Sequence, residues 1–244
     1  MKIFEIHITG TYSILKELKQ LKIKTIQIYQ FYKKEEVLDK GFIELIDGPT
    51  TDPRLKIVNV ARVSFGKESK ELDEKDIKLI NYLIKHNHSS CFRHSHFTFR
   101  IKAPIFVLRQ LTKHQIGSDW IEGSNPLGEN GAIDYAVYST SYNEQSGRYI
   151  EFENEFYIPD KFRTQSLNNK QGSNEDEFVT HFIDSAVEIR SEYRDSLNQL
   201  MFIYEGMIAS GVAKELARLI LPGALYTECI WTLSLEAILY MIRM

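Results

Sequence analysis

Apolar and polar positions alternate at the start of the chain. Phe4, Ile6 and Ile8 are interleaved with Glu5, His7 and Thr9, a helical stretch follows near 13–21, and alternation returns over 26–32. The pattern predicts a small strand-helix-strand unit within residues 1–36. A second unit opens at Val37, with a strand over 41–46 closed by the turn residues Asp47, Gly48 and Pro49. Asp73 reads as the N-cap of a helix that carries Ile77, Ile80 and Ile84 on one face and ends around 86–90. Phe97, Phe99 and Ile101 then alternate with Thr98, Arg100 and Lys102, as in a half-buried strand. Pro104 suits the first turn of a following helix, where its missing N–H costs nothing. On that helix Gln110, Lys113 and His114 are spaced to project from one face.

From 117 to 143 the chain holds no sustained period and reads as a loop. After a turn at Pro159 and a polar stretch to Asn174, the longest helical signal runs through Phe182, Ala186, Ile189, Tyr193, Leu197, Leu200, Tyr204 and Met207. Ser210-Gly211 stops it. Such a stripe belongs to a core or a subunit interface rather than to a cofactor. Two shorter helices are predicted over 213–221 and about 227–243, separated by Pro222-Gly223.

Composition narrows the class. At 244 residues, 43% apolar and 26% charged, the chain has enough apolar mass for one globular domain with a small extension. A net charge of -3 argues against broad binding to a nucleic acid polymer while allowing a local basic pocket for one phosphate. The sequence has no apolar run near the ~20 residues of a membrane span and no signal-peptide pattern at its start, so a cytoplasmic location is expected. Cys91 and Cys229 are the two cysteines; distant in sequence, they suggest neither a disulfide framework nor a zinc site.

Candidate chemistry gathers in Gln110, Lys113, His114 and Gln115, then in Glu144, Ser146 and Arg148, with Arg218 as a further cation. Lys and Arg grip phosphate through charge-assisted hydrogen bonds, and Ser146 with the Gly147 backbone can add neutral donors. By spacing alone the same residues also fit solvated faces and ordinary ion pairs. His86, His88, His94 and His96 lack the Cys or carboxylate neighbours that would complete a zinc site, and no metal is expected. The dinucleotide GxGxxG, Walker and GxSxG motifs are absent.

Several blocks together resemble the flavin-dependent thymidylate synthases (the ThyX family): LDKGFIELID, ARVSF at 61–65, IKHNHSSCF, FTFRIKAPIFVLRQ at 97–110, YNEQSGRY at 142–149, EFYIP at 155–159, ARLILP and YTECIWT at 226–232. KHQIGS at 113–118 is similar to the family's RHR region. The resemblance implies an α+β fold with a mixed sheet flanked by long helices, covering 37–244, to which 1–36 would be an added β-α-β element. It implies methylation of deoxyuridylate (dUMP) to dTMP with FAD as cofactor, methylenetetrahydrofolate and NADPH as cosubstrates, and a homotetramer with shared active sites. Nucleotide-binding positions then fall on Gln110, Lys113, Glu144, Ser146, Gly147, Arg148 and Arg218. Flavin positions fall on Ser64, Ser90, Lys113, His114, Gln115, Glu144, Ser234, Glu236 and Tyr240. Arg148, Ser146 and His88 are the implied catalytic set. No cysteine nucleophile is needed, because in the family the flavin carries the one-carbon unit and the hydride while the protein binds and orients.

The chain departs from the family's pattern at defined points. Lys113 stands for an arginine, Gln115 removes a second cation, and about twenty residues near 119–140 are inserted. Ser234 stands for an asparagine, Glu236 for an arginine and Tyr240 for another polar residue. Charge reversal at 236 is expected to weaken binding of an anionic cofactor. The chain also ends at Met244, two positions before the arginine that the family uses at uracil N3. These departures suit two alternatives: an impaired relative that binds nucleotide or partners, and a (hydroxy)methyltransferase for another pyrimidine nucleotide.

Overall fold

The computed structural model describes residues 34–114, 141–170 and 172–243, with the side chain of Arg243 not described. The expected N-terminal β-α-β element (apart from 34–36), Gln115 and most of the expected 117–143 loop lie outside these residues.

Five strands make the main sheet: β1 (Lys34–Val37), β2 (Gly41–Asp47), β3 (His96–Pro104), β4 (Ser141–Glu144) and β7 (Tyr226–Ser234), ordered β1-β2-β3-β7-β4. Every pairing is antiparallel, where the sequence led us to expect a mixed sheet. The strand β1 crosses position 36, so the edge of the sheet does not respect the boundary drawn from sequence. The helices are α1 (Pro53–Arg62), α2 (Glu74–Lys85), α3 (Ile105–Leu111), α4 (Ile189–Ala209), α5 (Lys214–Ala217) and α6 (Leu235–Arg243).

The long inner pair is β3 with β7, in register from His96 opposite Ser234 to Pro104 opposite Tyr226. Residues 227–234, expected from the sequence to begin a helix, are strand in the structure. Thr227, Cys229, Trp231 and Leu233 are buried on one face while Glu228, Ile230 and Thr232 on the other are half-buried or exposed, and the β-branched and aromatic set Thr227, Ile230, Trp231 and Thr232 is the informative signal. Likewise 141–143, read as loop, belongs to β4 and pairs with β7. The polar stretch to Asn174 holds β5 (Phe162–Gln165), paired with β6 (Ser173–Val179) in a separate hairpin. Phe182 and Ala186 therefore precede α4, which starts only at Ile189.

Other expectations hold. Asp73 caps α2 in a reciprocal capping box with Asp76. The buried face of α2 is Asp76, Leu79, Ile80 and Leu83 rather than the Ile77, Ile80, Ile84 stripe; Ile84 is exposed. Gly211, in the left-handed region at φ 83°, follows the end of α4 as expected.

Three apolar clusters hold these elements. Ile101, Val107, Leu108, Cys229, Trp231, Leu233 and Ala237 join the sheet to α3 and α6. Leu197, Met201 and Tyr204 of α4 pack on Phe156, Ala217 and Leu225. Ile57, Leu83, Cys91 and Phe92 join α1 and α2 to the 3-10 turn Ser89–Phe92, with Leu235 and Leu239 of α6 against them. No helix among the described residues is long and apolar enough to cross a membrane.

Candidate active site

Polar side chains collect at the two ends of β7. At the first end, β4 delivers Glu144 opposite Cys229, and the chain then turns through Ser146, Gly147 and Arg148. Two hydrogen bonds clamp this turn to the sheet: Gln145 N–H donates to the Glu228 carbonyl at 2.9 Å, and Glu228 N–H to Gln145 Oε1 at 3.3 Å. The turn is closed by Tyr149 N–H donating to the Ser146 carbonyl at 2.9 Å. Gly147 is buried against Phe152 and Arg218: a Cβ there would lie 2.5 Å from the Phe152 ring and 3.2 Å from Arg218 Cδ. Only hydrogen fits, and its absence of bulk lets Arg218 lie beside the turn.

Arg218 comes from the 3-10 turn Arg218–Ile220 after α5, far from the turn in sequence. Sequence spacing gave no sign of that contact. Arg148 makes long hydrogen bonds to Ser146 Oγ, 3.3 Å from its N–H and 3.4 Å from its Nε, and its guanidinium lies 5.3 Å from the Tyr149 ring centroid. Both arginines are exposed. Two cations, a hydroxyl and a backbone turn in one place can hold a phosphate-like dianion.

Glu144 is positioned by a neighbour outside the sequence-derived set: Tyr142 Oη donates to its carboxylate at 2.7 Å. Burial pushes the Tyr142 phenol above its ordinary range, and the Glu144 carboxylate adds to the shift, so the phenol keeps its proton to donate.

At the other end of β7, strand passes directly into α6. Ser234 is fully buried, and its hydroxyl accepts from Ala237 N–H at 3.2 Å, so this expected flavin position caps a helix. Glu236 and Tyr240 follow on α6 and line a hollow of about 200 Å³ together with Leu83, Ile84, Asn87, Ser89, Phe92 and Leu239. The ring of His114 stands 6.4 Å from that of Tyr240. The helix α3 ends at Leu111, so Lys113 and His114 sit in the turn beyond it, no longer on a helical face with Gln110 as expected. His88 N-caps the Ser89–Phe92 turn, and His88, Ser90 and Ser64 are exposed, the last on its own 3-10 turn Val63–Phe65.

The sequence grouped Lys113 with Arg148 and Arg218. The structure places His114, next to Lys113, near Tyr240 of α6, while Arg148 and Arg218 flank the turn that Gln145 ties to Glu228. From Cys229 to Ser234 is five residues of strand, roughly 17 Å. Asn87, Ser89, Phe92 and Leu239 of the hollow were missed, although their positions beside His88, Ser90, Glu236 and Tyr240 in sequence were a usable hint.

The fold and the two clusters define the class: an α+β protein whose antiparallel sheet presents polar residues at both ends of a long inner strand. The model of the family described as "Thymidylate synthase complementing protein" matches residues 44–244, and the chain belongs to that family. It is 38% identical over 208 residues to the flavin-dependent thymidylate synthase of Kosmotoga olearia, covering 84% of this chain and 76% of that one. To the protein of the same name from Thermosipho africanus it is 36% identical over 210 residues, with the same shares covered. Among solved structures it is similar to the UMP/dUMP methylase PolB of Streptomyces cacaoi bound with 5-Br dUMP, at TM-score 0.58 and 28% identity, covering 81% of this chain and 74% of that one.

Proposed function

We propose that the protein methylates deoxyuridylate at uracil C5 as a flavin-dependent thymidylate synthase, with FAD as the flavin, methylenetetrahydrofolate as one-carbon donor and NADPH as reductant. The observation that carries this reading is the Ser146–Gly147–Arg148 turn packed on Arg218, a dianion-sized cluster in a chain of this family. Arg148 and Arg218 hold the nucleotide phosphate, Ser146 and the Gly147 backbone fix its register, and Glu144, steadied by Tyr142, addresses the base or ribose. Gln110 and Lys113 complete the nucleotide set.

The flavin fits the second cluster by its donor chemistry. A flat ring system with polar edges needs apolar faces and rim donors, and the hollow offers Ile84, Phe92 and Leu239 with Asn87, Ser89 and Tyr240. At about 200 Å³ it takes only part of FAD, so His114, Gln115, Ser64, Ser90 and a neighbouring chain supply the remainder. When bound, the flavin supplies the one-carbon transfer and hydride chemistry. His88 stands at the edge of this region, N-terminal to the turn that lines the hollow, where it can steady a ring stacked on the flavin.

The separation of the two clusters along β7 supports a homotetramer in which one chain's phosphate cluster faces another's hollow. So does the exposure of Phe202 (75%) and Leu219 (77%), large apolar side chains that association would cover. We place the enzyme in the cytoplasm.

The test is a spectrum followed by an assay. Purified protein should show flavin absorbance, alone or after adding FAD, that bleaches with NADPH. It should then release the C5 hydrogen of deoxyuridylate when folate is supplied, with UMP run beside it because PolB is named for both nucleotides. A protein that takes up no flavin would overturn the proposal; nucleotide binding without hydrogen release would select the impaired relative.

A further inference from the structure

Glu236 stands where the family resemblance expects an arginine against the flavin, and a carboxylate there repels an anionic cofactor. Yet Glu236 is only 8% exposed, on the first turn of α6. A helix N-terminus favours its charge, and a partner makes its burial tolerable. The partner is Arg93, whose Nε donates to Glu236 Oε2 at 2.5 Å. Arg93 is the residue that ends the Ser89–Phe92 turn, and Phe92 and Ser89 form the wall of the hollow facing Glu236 and Tyr240. The ion pair therefore crosses between the two elements that enclose the hollow. A guanidinium is planar, so fixing Nε fixes the plane of the whole fork. The Arg93 side chain remains 35% exposed, next in sequence to Phe92 of the hollow's lining.

We propose that Arg93 is the cation of the flavin site: Glu236, which lines the hollow, anchors it, and its guanidinium addresses the anionic part of the flavin nucleotide. The charge absent from position 236 is thus returned from the opposite wall. This inference rests on the flavin reading of the hollow. It also gives the pair an unusual signature, because the two partners act on cofactor affinity with opposite sign. Removing Arg93 leaves a buried carboxylate facing an anion; removing Glu236 takes a negative charge out of the hollow's lining.

The experiment measures FAD dissociation constants by flavin fluorescence on protein stripped of flavin, beside thermal midpoints without FAD. Arg93→Gln should weaken FAD at least about tenfold, the scale of one partly buried charge contact. Glu236→Gln should leave FAD as tight as in wild type or tighter. Arg93→Gln/Glu236→Gln, which carries no uncompensated buried carboxylate and so guards against misfolding, should lie between the two. Arg93→Lys, with charge but no fork, should weaken FAD by only about threefold. Equal weakening in Arg93→Gln and Glu236→Gln that tracks their thermal midpoints would reduce the pair to a structural tie and overturn the proposal. So would Arg93→Gln binding FAD like wild type. If wild type itself binds no FAD, the flavin reading falls and takes this inference with it.

Discussion

Burial pushes the Cys229 thiol up to about 12, with Glu144 and Glu228 adding to the shift against a hydrogen bond from Tyr142. At neutral pH it is therefore a neutral packing group in the core beside Trp231, because only the thiolate attacks. Iodoacetamide at pH 7.5 is expected to leave Cys229 unmodified in the folded protein and to label it rapidly in denaturant, read by mass spectrometry. The Tyr142 hydroxyl has the opposite character, since it faces the candidate site. Tyr142→Phe removes one hydrogen bond to a carboxylate and should weaken deoxyuridylate binding by about three- to tenfold. The thermal midpoint should barely move, because the site of the change is at the surface end of β4. Calorimetric titration and a melting curve check both halves; an unchanged affinity would detach Tyr142 from Glu144's function.

Among the elements, α1 and α2 are joined by polar groups as well as by the Ile57–Leu83 cluster. Arg62 forms an ion pair with Asp76, which is 1% exposed, and also donates to Ser69 Oγ. Asn59 holds the Ser69 backbone at 2.7 and 2.9 Å. Asp76 also completes the capping box of α2. Asp76→Ala leaves Arg62 without its carboxylate and removes the Asp76 half of the capping box, so a loss of about 3 kcal/mol in urea unfolding is expected. These elements were legible in the sequence where periodicity matched burial: β3 alternates, α2 has its N-cap, and α4 stops before Ser210-Gly211. They were illegible where a polar Thr227 is buried and an apolar Ile230 exposed, as in β7, or where mostly polar residues form a hairpin outside the main sheet, as in β5 and β6. The site divides the same way. Ser146, Gly147 and Arg148 are contiguous and were found together, whereas the approach of Arg218 and the Arg93–Glu236 pair are products of tertiary packing. No spacing rule reaches across 143 residues of chain.

For the whole molecule, the separation of Arg148 and Arg218 from the hollow makes a specific demand. If sites form between chains, Arg218→Ala and His114→Ala are each inactive, and mixing them lets the intact halves meet. Co-assembled in equal amounts, they should recover roughly one quarter of wild-type activity, since a random pairing brings together two intact halves once in four. No recovery above either parent would place each site within one chain. The overall architecture was legible at this scale only through the family resemblance, because composition fixed a globular class but not a topology.

The direct passage of β7 into α6 has a mechanical side. Leu235 N–H donates to the Ser95 carbonyl at 2.8 Å, and Ser234 caps the helix it begins, so Glu236, Leu239 and Tyr240 are welded to an inner strand paired along both edges. The facing wall hangs on a short turn entered through Asn87 at φ 53°. Any widening that admits a larger guest must therefore come from that turn, leaving the sheet as the fixed jaw of a vice and Arg93 riding on the movable one.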